Sequence, residues 1–218
     1  SNKCKIIIEE IYQIIEILND LLHVDAFVKF ISDLIHHYDP QIRRRSLLLL
    51  NEKLEDFEEE ISPAEIEKFI DLVNNISKII VAPIDAMNDD DDDNTVESTV
   101  NQQTALYSLE ILTRHFGNHA PDTFLEIIPS IISCLDSSDE QVKASAMICI
   151  ATNCISLGAN ILSHLPKFFP KILTLLEDTL TGDDVQEESQ LLVCMSALSS
   201  IEVSLLHIAS FLSPYLSN

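Results

Sequence analysis

Tryptophan is absent from this sequence, glycine occurs three times, and aromatic residues make up 6% of 218 positions. Sheets with many tight turns need glycine and draw on aromatic strands, so this scarcity counts against a turn-rich β-protein. Basic residues are also few, 13 against 36 acidic ones, for a net charge of −23. The deficit is uneven: nine basic and sixteen acidic residues up to Lys78, then four and twenty from Ile79 onward. Such a surface repels phosphate backbones at long range, which disfavours nucleic-acid binding along the second half and favours basic proteins as partners there. Five cysteines, Cys4, Cys134, Cys149, Cys154 and Cys194, show no disulfide-framework spacing, and four lie in apolar runs. They read as reduced core thiols of a cytosolic or nuclear protein. No apolar stretch is expected to reach the ~18 residues of a membrane span, and Ser1-Asn2-Lys3 has no signal-peptide architecture. Without an initiator Met the chain is expected to be a piece of a longer protein.

What is present is helical. Apolar content of 46% suffices for a continuous core, and Leu, Ile, Ala, Glu and Ser recur at spacings of three and four. The spacing predicts helices over residues 5–22, 25–37 and 40–57, the last opening at Pro40. Ser62-Pro63-Ala64-Glu65 combines a cap, a first-turn proline and a capping-box glutamate, so a helix starts there and carries Ile66, Phe69, Ile70, Val73, Ile76 and Ile80 inward as far as Ala82. Residues 87–99, with Asp89 to Asp93 in a row, read as a flexible acidic insertion. Further helices are expected over 101–116, 121–135, 140–157, from about 165 to 180, 185–201 and 204–216.

Self-similarity organises these helices. Phe124 to Pro129, Leu165 to Pro170 and Ala209 to Pro214 are similar segments whose prolines lie 41 and 44 residues apart, within the roughly 40–47 residues of HEAT and armadillo repeats. Asp39-Pro-Gln-Ile42-Arg43 and Asp139-Glu-Gln-Val142-Lys143 share the order Asp, β-branched, basic, and their 100-residue separation leaves room for two periods plus the insertion. One helix pair cannot bury its own apolar face, so such units must stack. The expected fold is therefore all-α: one α-solenoid of HEAT/ARM-type hairpins over 1–218, four to five repeats in a right-handed superhelical stack. The approximate repeats are 5–57, 62–117 with the acidic insertion, 121–158 and 161–201, with a further one beginning over 204–218.

Candidate sites are few. Arg43, Arg44 and Arg45 spread guanidinium charge over a wide arc of a helix. Arg43 is read as the repeat's own contact to Asp39, while Arg44 and Arg45 stand open between an acidic or phosphate partner and simple solvation. Asp183, Asp184, Glu187 and Glu188 open a helix, where carboxylates suit the positive end of the dipole, and they offer charge to a basic partner. The aspartate run lacks the glycine turn and distal glutamate of a calcium loop. His115 and His119 are separated by the helix-ending Gly117, and Cys149 and Cys154 point to different faces, so neither pair has metal-ligand geometry. There is no phosphate-binding glycine loop, no nucleophile elbow and no paired carboxylate motif. No enzyme activity, cofactor, metal or small-molecule substrate is expected.

Three stretches carry a family likeness. The run from Asp39 to Leu54, the run from Asn101 to Gly117 and the ending Phe211 to Leu216 resemble the very large HEAT-repeat proteins of the small-subunit processome, in part of their C-terminal half. Leu165 to Leu173 and the alanine-containing helix near Ser196 to Ser200 fit the same likeness, which covers most of the chain. That family associates with the U-three small nucleolar ribonucleoprotein. The resemblance implies a nuclear, nucleolar scaffold needed for pre-ribosomal RNA processing, with processome proteins, basic ones above all, as partners; RNA contact by this stretch is left open, and no membrane partner is implied. The aspartate run departs from the family pattern, so nothing is carried onto it. The alternative is a generic HEAT adaptor, such as a nuclear transport receptor or phosphatase scaffold that grips basic partners.

Overall fold

The computed structural model describes residues 22–55, 62–81, 92–181 and 188–212. The expected helix over 5–22, apart from Leu22, and the residues Pro214, Cys4 and 87–91 lie outside them. Eight α-helices occupy the described residues: α1 Val24–Leu34, α2 Pro40–Glu55, α3 Pro63–Val81, α4 Asp92–Phe116, α5 Pro121–Ser133, α6 Glu140–Leu157, α7 Leu165–Thr181 and α8 Glu188–Leu212. Short 3-10 turns follow α5 (Cys134–Asp136) and α6 (Gly158–Ser163).

Local chemistry sets most boundaries. At α3 the Ser62 hydroxyl lies 3.4 Å from the Glu65 amide, and Glu65 Oε2 accepts the Ser62 amide at 2.9 Å, so two otherwise orphaned donors are satisfied reciprocally. At α6 Asp139 Oδ1 accepts the amides of Gln141 and Val142, both at 2.9 Å. Gly158 ends α6 at φ +52, a backbone state that a side chain would strain. Pro129 and Pro170 sit inside α5 and α7 on their exposed sides, where the carbonyl left without an N–H partner faces water.

The helices pair α1 with α2, α3 with α4, α5 with α6 and α7 with α8. One row, called outer for reference, packs α2, α4, α6 and α8 each on the next, and in the other row, called inner, α1 packs on α3 and α3 on α5. This is the stacked two-layer arrangement of a HEAT/ARM-type solenoid. The repeat registers are carried into the core. Phe124, Ile127, Ile128 and Ile131 of α5 are buried, and so are Leu165, Phe168, Phe169 and Ile172 of α7, 41 residues on. Likewise Leu47, Leu50 and Leu54 of α2 are buried with Met147, Ile150 and Cys154 of α6, 100 residues on. Residues buried around most of α6, apart from an exposed stripe at Ile148 and Ile155, reflect its neighbours on several sides.

Four expectations need correction. The expected insertion is partly ordered: α4 begins at Asp92, so 92–99 are helical. Carboxylates in a first turn sit beside the free N–H groups and the positive dipole end, and Asn101 Nδ2 ties the next turn to Glu97 O and to Pro40 O of α2. The second helix stops at Leu34 instead of residue 37, because His37 Nδ1 and the Asp39 amide form a local bond before Pro40. The break expected between 201 and 204 lies further on: α8 is continuous there and kinks at Ile208, whose backbone is non-helical (φ −130, ψ 22). The buried Ser200 and Ser204 on α6 hold that stretch in one register. Finally, Glu140–Ser163 and Gln190–Ile208 are each long and apolar enough to cross a membrane. Ser, Thr, Asn and Cys interrupt their apolar residues without adding charge; half of the first segment is buried against other helices, whereas Leu191, Leu192, Met195 and Leu198 of the second are exposed.

Candidate partner-binding surface

The arginine stretch rides on α2, whose first turn is set by Asp39. Asp39 Oδ1 accepts the Gln41 amide at 2.9 Å, as its counterpart Asp139 does for Gln141. Arg43 does not pair with the Asp39 carboxylate as the sequence suggested; its Nη1 donates to His37 O at 2.8 Å and Tyr38 O at 3.0 Å. Asp39 is committed to the helix cap, so the guanidinium closes the α1–α2 turn through backbone carbonyls instead. Arg44 is half-exposed and stands 4.0 Å from Glu97 of α4, and the less exposed Arg45 stands 4.0 Å from Glu52 one helical turn pair along α2. Both separations are at the outer edge of charge contact, where partly exposed pairs contribute little. Asp183, Asp184 and Glu187 lie outside the described residues; Glu188 is the first residue of α8 and only its backbone is described.

A cluster that the sequence reading missed joins three outer helices. Tyr107 of α4 donates its hydroxyl to Glu55 of α2, which raises the phenol's pKa, and Arg114 Nη2 lies 3.5 Å from the same carboxylate. On the adjoining flank of α4, Glu110 accepts from Thr152 Oγ1 of α6 at 3.4 Å. Burial pushes the Glu110 carboxyl above its ordinary pKa, against the opposing pull of Arg114 and Thr152. The spacing of Tyr107, Glu110 and Arg114 put them near one another on α4, but Glu55 and Thr152 come from other helices and left no local signal.

Two grooves elsewhere are shallow and of mixed charge. One of about 290 Å³ lies between α1 and α3 and is flanked by the Lys68–Asp25 pair. Another of about 480 Å³ lies where Lys171 reaches Asp136 at 2.6 Å. Among the described residues no group of three His, Cys, Asp or Glu side chains converges as a metal site. Cys134, Cys149 and Cys154 are free and buried, and burial raises all three thiols, Cys134 and Cys154 to about 11. The arrangement offers surfaces for docking.

No family model matches the chain. Comparison with curated proteins is more informative: the chain is 36% identical over 197 residues to a HEAT repeat-containing protein 1 homolog of Dictyostelium discoideum, covering 90% of this chain and 8% of that protein. The sequence is similar to HEAT repeat-containing protein 1. Against HEAT repeat-containing protein 1 of Homo sapiens the identity is 29% over 215 residues, 96% of this chain and 9% of the relative. The U3 small nucleolar RNA-associated protein 10 of Coccidioides immitis (strain RS) is 26% identical over 207 residues, 93% of this chain and 10% of that protein. The chain thus spans about a tenth or less of the length of these three relatives.

Proposed function

We propose that this chain is a scaffold segment of a nucleolar HEAT-repeat protein that serves pre-ribosomal RNA processing and small ribosomal subunit assembly by holding protein partners. The observation that carries the reading is similarity along 93% of the chain to a relative whose name associates it with the U3 small nucleolar RNA. The stacked helices support it physically, since a solenoid displays long side surfaces while its core is used up in stacking. On this reading the partners are small-subunit processome proteins, and basic ones meet the acidic second half. Arg44 and Arg45 take acidic groups of a partner, with the existing carboxylates at 4.0 Å easily exchanged. Asp183, Asp184, Glu187 and Glu188 serve the basic partners. Affinity purification of the full-length protein is expected to recover U3 RNA and processome proteins. Recovery of nuclear transport regulators or a phosphatase catalytic subunit in their place would overturn the assignment in favour of a generic adaptor.

A further inference from the structure

The turn from α5 to α6 holds a serine beside two lysines. Ser137, Ser138 and Asp139 are the non-helical residues between the 3-10 turn Cys134–Asp136 and α6. Ser137 is part-exposed, and its Oγ accepts the Asp139 amide at 3.1 Å. It lines the groove of about 480 Å³ together with Lys143 of α6 and Lys171 of α7. Lys171 Nζ reaches Asp136, the residue before Ser137, at 2.6 Å, and Lys143 Nζ reaches Glu140, three residues after it, at 2.8 Å.

The carboxylates and the lysines suit two successive events. Asp136-Ser137-Ser138-Asp139-Glu140 places a carboxylate one residue before Ser137 and others two and three residues after it. A kinase with a cationic substrate cleft selects a serine by such a charge pattern. The neighbouring Ser138 is exposed but has Gln141 at the third position after it and does not line the groove. A phosphate on Ser137 would carry a charge of about −1.5 to −2 and three strong acceptor oxygens. Each lysine now holds a singly charged carboxylate from a residue next to or one helical turn from Ser137. The phosphate can therefore take over both ammonium groups by side-chain rotation, without backbone movement. Asp136 and Asp178 line the same groove, so the phosphate meets opposing charge there, and its higher charge and acceptor count win the lysines.

We infer that Ser137 is the phosphoacceptor of an acidophilic serine/threonine kinase, and that Lys143 and Lys171 hold the resulting phosphate monoester in the groove. In the transfer Ser137 Oγ attacks the γ-phosphorus of MgATP, its bond to phosphorus forms as the bond to the ADP oxygen breaks, and the hydroxyl proton passes to the base of the kinase. Lys171 belongs to α7, so the new contact ties the turn of one helix pair to the pair that follows. Modification thereby stiffens one junction of the solenoid. The assignment is independent of the nucleolar reading.

The full-length protein carrying this sequence, treated with an acidophilic kinase and MgATP and mapped by mass spectrometry, should bear phosphate on Ser137, and Ser137→Ala should lose it. Phosphate confined to Ser138, or none on this turn, would overturn the acceptor. Amide exchange over residues 134–143 and 168–175 should slow roughly fivefold on phosphorylation, the effect of about one added charge-assisted hydrogen bond. Lys143→Gln combined with Lys171→Gln should abolish that slowing, and the corresponding pair of arginine substitutions should retain it. Slowing that survives the glutamine pair, or faster exchange on phosphorylation, would overturn capture by the lysines. If the glutamine pair loosens the unphosphorylated turn, Lys171→Gln alone carries the same comparison.

Discussion

At the scale of single residues, burial and backbone geometry decide what each side chain can do. Gly117 shows the first: a Cβ there would stand 2.6 Å from Thr113 O and 2.9 Å from the Ser156 Cβ of α6. The glycine lets the end of α4 touch the end of α6. Gly117→Ala should destabilise the fold by about 1–3 kcal/mol, the usual range for overpacking, read as a lower urea midpoint at unchanged slope. Glu110 shows the effect of burial on charge. Its folded pKa lies above the ordinary carboxyl value, so the unfolded chain ionises first as pH rises. The native state is then favoured below the ordinary value and loses that advantage as pH climbs through the raised one. Glu110→Gln should therefore gain on the wild type between pH 4 and 7 in urea-denaturation midpoints; a constant gap across that range would refute the burial argument.

At the scale of elements, helix starts matter more than surface ion pairs. Asp139 satisfies two amides of α6 and lies 3.5 Å from Gln103 Nε2 of α4, so it caps one helix and contacts another. Asp139→Ala should cost about 0.5–2 kcal/mol, the range for a lost N-cap. Arg44→Ala should move stability by less than about 1 kcal/mol, because a half-exposed pair at 4.0 Å is screened by water. Thermal melts of the two variants side by side check the ordering. The same logic explains α4. A run of aspartates reads as a solvated loop when taken as composition, yet Asp92 and Asp93 begin a helix because the helix N-terminus is where negative charge is tolerated best.

At the scale of the whole molecule, the net charge of −23 sets long-range behaviour. Binding of a basic partner to the acidic second half should weaken steadily as salt is raised from 50 to 500 mM, followed by titration calorimetry; a salt-independent affinity would remove charge from the explanation. Among the described residues the stack has no single central site. Cohesion passes from each helix pair to the next, so the Glu55, Tyr107 and Arg114 contacts across the outer row belong to the assembly of pairs.

The sequence by itself determined what is short-ranged. Apolar spacing of three and four, the Ser62–Glu65 box, the Asp139 cap and the stop at Gly158 act within a few residues, and the 41- and 44-residue registers repeat them. That was enough for an all-α stacked solenoid and for the extent of α6. Tertiary structure alone decided the rest. Arg43 turns to His37 and Tyr38 because Asp39 is already engaged in capping, and Glu55 meets a tyrosine 52 residues away. The register made Met147 and Leu191 equivalents, but only the packing of α8 on α6 distinguishes the buried one from the exposed one. Periodicity defines which side of a helix is apolar, and the presence of a neighbour defines whether that side is covered.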